Sequence, residues 1–256
     1  MQASTALMNK FETEAIRLNS ALALEITHHI DHAHGLLLKR GYPTRAYTKS
    51  AVETLLSFDE TKQLQVLDNA KKLLGVLSSM EPEISPEPET EIEDGVNEVG
   101  LAKKALSCFG FRVSDETWEQ KAQDRIIEIY NHQGVQLHRS LNFFKTCGYS
   151  LLDLCVNEWY VLWERPSRVM EQLNAIVAQV MSGAPRANTE MPVGPHVVRE
   201  TYDDGTTQPF LPRSIIVQFR DMYPTLNARN EICGFVVTSE ARLLNVGDDA
   251  LKLDFI

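Results

Sequence analysis

The stretch IIEIYNHQGVQLHRSLNFFKTCGYSLLDL, residues 126–154, decides the fold. Ile126-Ile-Glu-Ile-Tyr suits a strand, and Asn131-His-Gln-Gly134 suits a hairpin turn. Val135-Gln-Leu-His-Arg alternates apolar and polar residues, which predicts a half-buried strand. Residues 141–147 and 150–164 read as short helices. Val169, Leu173, Ile176, Val177, Val180 and Met181 then form one apolar stripe, on a helix from about Pro166 to Ser182. Pro166 fits its first turn and Gly183 its stop.

Three strand signals follow: His196–Thr201, ending in the Asp203-Asp-Gly-Thr turn; Ser214–Asp221; and Cys233–Ser239, after a turn at Asn227–Asn230. Ile215-Ile-Val-Gln-Phe and Gly234-Phe-Val-Val-Thr carry the β-branched and aromatic residues that strands favour.

Upstream the period is helical. Leu7, Phe11, Ile16 and Leu18, then Leu22, Leu24, Ile26 and Ile30, recur at helix spacing. Residues 49–57 and 60–78 continue the pattern, with Asp59 placed to cap the second of these helices. Gly41-Tyr-Pro-Thr marks a turn. A helical domain over residues 1–80 is expected. Residues 81–98, EPEISPEPETEIEDGVNE, combine proline with like charges and read as an acidic linker, because so little apolar surface cannot offset ordering entropy. Residues 99–256 form the remaining domain. In it, Leu101–Phe109 reads as a short helix stopped by Gly110. Ser114 reads as the cap of a second helix reaching about Asp124. The fold class is α+β.

Composition excludes some classes. A hydrophobic share of 43% with 23% charged residues is that of a globular chain. A net charge of −10 speaks against a general nucleic-acid binder, which needs concentrated Lys and Arg. No apolar run is long enough for a membrane span and no signal peptide opens the chain, so a cytoplasmic location without membrane insertion is expected. Cys108, Cys147, Cys155 and Cys233 are scattered without a CxxC pair, as in reduced proteins.

The ordered set IIEIYNHQGVQLHRS, FFKTCGYSLLDL, RVMEQLNAIVAQVMSG and SIIVQFRDMY…NEICGFVVTSE resembles a PAS sensory domain over about residues 122–240. The proline-rich passage Pro185–Pro195 is longer than the family's compact pattern. The resemblance implies a sensing or regulatory protein-interaction module, a homodimer, and a signalling partner that supplies the output. The exposed sheet or the flanking helices at residues 101–123 would make the contacts, and Trp118 fits equally a contact or packing on the sheet. The resemblance also implies an apolar cavity lined by Phe143, Phe144, Tyr149, Leu151, Leu154, Trp159, Trp163, Val177 and Phe219, although residues of this kind at these spacings more often simply fill the core. Flavin-binding members of the family carry a cysteine in an NCRFLQ-like helix, and Cys147 sits in FKTCGY instead. Haem-binding members use a histidine on the long helix. Residues 166–182 contain none, and His196 is a poor substitute. A small organic ligand, or no ligand, remains.

The helical region offers the alternative chemistry. In Glu25-Ile-Thr-His-His-Ile-Asp-His-Ala-His34, residues Glu25, His28, His29 and His32 share a helix face. His28 and His32, with Glu25 or Asp31, make a weak metal-ligand set, because one helix supplies three ligands at most. His34 with Lys39 faintly resembles a histidine phosphotransfer site. A purely helical adaptor is the third reading. No GxSxG, Walker A or GxGxxG motif is present.

Overall fold

The computed structural model describes residues 21–42, 44–79, 97–183, 189–201 and 213–244. The expected helix before residue 21, most of the acidic linker, the Asp203-Asp-Gly-Thr turn and part of Pro185–Pro195 lie outside the described residues.

The fold is α+β. Helices α1 (Ala21–Lys39), α2 (Lys49–Ser57), α3 (Glu60–Ser78) and α4 (Glu98–Phe109) come first. Strand β1 (Arg112–Val113), helix α5 (Trp118–Ala122), strands β2 (Ile126–Asn131) and β3 (Gln136–Arg139) and a 3-10 turn (Leu141–Lys145) follow. Next come α6 (Leu151–Val156), α7 (Trp159–Leu162), β4 (Trp163–Glu164), the long helix α8 (Ser167–Met181), and strands β5 (His196–Glu200), β6 (Ser214–Leu226) and β7 (Ile232–Leu243). The strands form one antiparallel sheet in the order β3-β2-β7-β6-β5-β4, with β1 joined to the far end of β6.

Caps explain the helix boundaries. The Asp59 carboxylate accepts from Lys62 N at 2.8 Å, as its position in the sequence predicts. Asn97 accepts from Gly100 N at 2.8 Å, and Gly110, at φ +68°, ends α4 in the left-handed conformation. Gly183 closes α8 at φ +70°. Gly234 has a different reason: a Cβ there would run into the carbonyl oxygen of Tyr130 on the neighbouring strand.

One apolar core runs from α1 to β7. Helices α1 and α3 pack together, α4 lies on β2 and β3, and α8 lies on β6 and β7. Polar bonds stitch the helices to the sheet half. Thr48 Oγ1 caps α2, accepting from Ala51 N at 3.1 Å, and donates to the buried Asp153 of α6 at 2.9 Å. Leu151 N and Leu152 N donate to the carbonyls of Arg45 and Ala46. The Glu98 carboxylate takes two N–H groups at the head of the 3-10 turn, from Leu141 and Asn142, each at 3.0 Å.

Four expectations are corrected. The helix expected from Ser114 to Asp124 is a single turn, α5, because Asp115 folds onto Thr117 N and Oγ1 and uses the cap in a tight turn. Residues 101–123 are not a free flank: Leu101, Ala102, Ala105 and Leu106 are buried, and Trp118 is only 5% exposed, so it packs inside. Strand β3 is buried along its whole length rather than on one face, because helices cover it and its polar side chains find partners inside. Strands β6 and β7 run past the expected ends at Asp221 and Ser239. The extended part of β6 includes Pro224, although proline cannot donate to a ladder. It is tolerated where β6 has left β5, between the Glu190–Asp221 bridge and the pairing with β1.

Candidate functional site

The alternation of strand side chains sends Ile127 and Ile129 to one face of β2 and Glu128 and Tyr130 to the other. On the first face His138 lies opposite Ile129 and Thr238 opposite Ile127. The second meets α8 across a void of about 20 Å³, walled by Leu173 and Val177 of α8, Phe219 and Met222 of β6, and Phe235 and Val237 of β7. Trp159 and Arg165 close it. That volume suits about one water molecule.

Glu128 and Tyr130 join this gap to a tight polar network on β3. Arg139 pairs with Glu128 at 2.6 Å, with the two side chains 2% and 8% exposed. Gln136 Nε2 donates to Glu128 Oε1 and to the Tyr130 hydroxyl, both at 2.9 Å. The register explains the meeting: Glu128 lies opposite Arg139 and Tyr130 opposite Gln136, so all four share one face. Arg139 also sits 4.3 Å from the centre of the Phe143 ring and donates to Cys147 Sγ at 3.7 Å. Tyr130 stacks on Phe235 with ring centres 5.1 Å apart. Burial, aided by the Glu128 charge, raises the Tyr130 hydroxyl pKa above its usual value. Burial likewise pushes the Cys147 thiol up to about 12, so it stays protonated and is a poor nucleophile.

Arg165 is the second guanidinium. It lies over the Trp159 ring at 5.3 Å and donates from Nη1 to the Trp163 carbonyl at 3.3 Å. No carboxylate of the described residues lies within ion-pair distance of it. Burial pushes its pKa down to about 10. Gln136 Oε1, Arg139 Nε and Arg165 Nε are buried without hydrogen-bond partners.

The nine residues expected to line a cavity divide among three places. Trp159, Val177 and Phe219 meet around the α8 void. Phe144, Leu151 and Leu154 line a second void of about 20 Å³ at the β3 edge, beneath Leu37 and Leu73. Phe143, Tyr149 and Trp163 form an aromatic cluster, with Trp163 ring centres 6.0 Å from Phe143 and 5.3 Å from Tyr149. An open cleft of about 490 Å³ runs between α3 and the β2–β3 turn, past Lys62, Lys72, Phe109 and His132. Lys72 is already held there by Asp68 at 2.6 Å.

The histidine row is not assembled into a centre. Among the described residues no three His, Cys, Asp or Glu side chains converge on a point fit for a metal ion. Glu25 is engaged by Lys71 at 2.6 Å, while His28 and His32 are exposed. His34 bonds the Thr44 carbonyl through Nε2 at 3.0 Å, which ties the ring to the following turn. His196 is buried beside Phe219, its Nδ1 on the Gly194 carbonyl.

Sequence reasoning missed Glu128, Tyr130, Gln136, Arg139 and Arg165. The signal for the first was available: a carboxylate inside the aliphatic run IIEIY is costly to bury without a purpose or a partner. Arg165, 37 positions away, carried no comparable mark. No described helix is long and apolar enough to cross a membrane. No family model and no curated protein matches the chain.

Proposed function

We propose that this chain is a signal-sensing or regulatory protein-interaction module, without catalysis of its own, built on a PAS-like domain. The element order supports the resemblance: strand, turn, strand, short helices, one longer helix, then three antiparallel strands. The observation that carries the reading is the buried charge at the gap between α8 and the sheet, where Arg165 and Glu128 line the walls and Arg139 pairs with Glu128 from behind. A purely structural core gains little from buried ions, whose desolvation typically cancels their attraction. A site that recognises a small molecule uses this mixture of apolar walls and a few placed polar groups.

The chemistry of the site favours binding over turnover. Glu128 is neutralised by Arg139 and hydrogen-bonded by Gln136, so it is a poor general base. A molecule entering beneath α8 displaces that helix relative to β6 and β7 and alters the surface a partner reads. The chain works as a homodimer that passes this change to a signalling protein.

Native mass spectrometry of the intact protein, repeated under denaturing conditions, tests the reading. The expected result is a dimer mass with an added species that leaves on denaturation. A bare monomer in every charge state would overturn it.

A further inference from the structure

The charges at the gap beneath α8 are unequally partnered. Its lining carries one guanidinium, of Arg165, and one carboxylate, of Glu128, and that carboxylate is already paired with Arg139 behind it. Arg139 has a direct ion pair with Glu128. Arg165 has a carbonyl and an aromatic face but no carboxylate within ion-pair distance among the described residues, and its Nε is buried without a partner. Gln136 Oε1 and Arg139 Nε are left over in the same network. The Glu128 charge acts on Arg165 only at a distance, and a buried cation without a direct ion partner is costly. Arg is also the side chain whose planar fork fits a carboxylate through two parallel hydrogen bonds. Around Arg165 the walls are apolar: Leu173, Val177, Phe219 and Met222.

We infer that the gap beneath α8 takes a small organic acid, whose carboxylate pairs with Arg165 and whose apolar body lies between α8 and the sheet. The inference rests on the sensing reading above and names its ligand class. The existing void of about 20 Å³ admits no such molecule unless the walls yield. Helix α8 is the wall that yields. Val169, Met170, Val177 and Met181 are only partly buried, and Leu173, Ile176 and Val180 alone are fully seated. Methionine at Met170, Met181 and Met222 suits a surface that must repack.

The test uses octanoate as the acid probe, with octan-1-ol and octanamide as neutral probes of equal length. Titration calorimetry and thermal melting are run on the full chain and on Arg165→Met. Wild type is expected to bind octanoate at least tenfold more tightly than octan-1-ol. Arg165→Met is expected to lose that preference while keeping its affinity for octan-1-ol. Without any probe, Arg165→Met should melt at or above the wild-type temperature, because the substitution removes a buried cation that has no direct ion pair.

Equal affinity for octanoate and octan-1-ol would overturn the acid inference and leave a sensing cavity in place. A lower melting temperature for unliganded Arg165→Met would overturn it too, by making Arg165 a structural residue. Binding of none of the three probes, with a bare mass in the native spectrum, would end the sensing reading as well.

Discussion

Helices α1 and α8 are both amphipathic and both lie on the core, but they are anchored very differently. Over 19 residues, α1 seats Ala23, Ile26, Ile30, Ala33, Leu36 and Leu37 with almost no exposure. Over 15 residues, α8 seats only Leu173, Ile176 and Val180. Beneath α1 the core is nearly all apolar, Thr48 and Gln63 being the buried polar residues among α1–α3 and their connections. Beneath α8 lie Glu128, Tyr130 and Arg165, with Gln136 and Arg139 behind them. The helical layer is built for stability. The α8 layer holds buried charge, which is costly to desolvate, and the proposed sensing role rests on that contrast.

Breaking the charge network should have the largest effect. Glu128→Leu leaves Arg139 buried and unpaired and should cost about 3–5 kcal/mol in urea denaturation, whereas Glu128→Leu with Arg139→Met should recover most of it. A double variant no better than the single one would show that the pair contributes more than mutual neutralisation. In the apolar layer, Ile30→Ala should cost about 2–5 kcal/mol through the cavity it leaves. That loss should be the same at pH 5 and pH 8, because no titrating group is involved.

His138 offers a pH test within the sheet. It lies opposite Ile129, 3% exposed, with Nε2 unpartnered. Burial pushes its pKa down to about 4 from the ordinary 6.5. The unfolded chain therefore takes up the proton first. Stability should be fully present above pH 6.5 and fall as the pH drops towards 4, by up to about 3 kcal/mol. Equilibrium unfolding across that range should show the fall in wild type and a flatter profile in His138→Leu.

The smallest effect concerns the seam between the layers. Thr48→Val removes both the α2 cap and the bond to Asp153, and should cost about 1–2 kcal/mol. A single cooperative transition should persist. Separate transitions for the helical and sheet halves would show that the seam had been holding two units together.

Local signals were legible in the sequence. The Asp59 cap, the Gly110 and Gly183 stops, the Asn131–Gly134 turn and the stripe on α8 all depend on residues within a few positions of one another. The errors arose where distant elements decide. Strand β3 looked half-exposed because its alternation of polar and apolar residues says nothing of the helices that cover it. Trp118 reads equally as a surface contact or as packed on the sheet, because neighbouring residues do not reveal what lies on it, and the structure buries it. The candidate cavity was legible only as a set of large apolar residues, of which Trp159, Val177 and Phe219 do meet at one void. Its polar half was hidden because Glu128, Arg139 and Arg165 are joined by register and by the path of the chain, not by spacing.

Amide hydrogen exchange on the unliganded protein tests the central contrast most directly. Few seated side chains and a void beneath predict that α8 opens more readily than α1, so its mid-helix amides, around Ile176, should exchange at least tenfold faster than those around Ile30. Equal protection of the two helices would contradict the account, because the layer assigned to sensing would then be as firmly fixed as the scaffold.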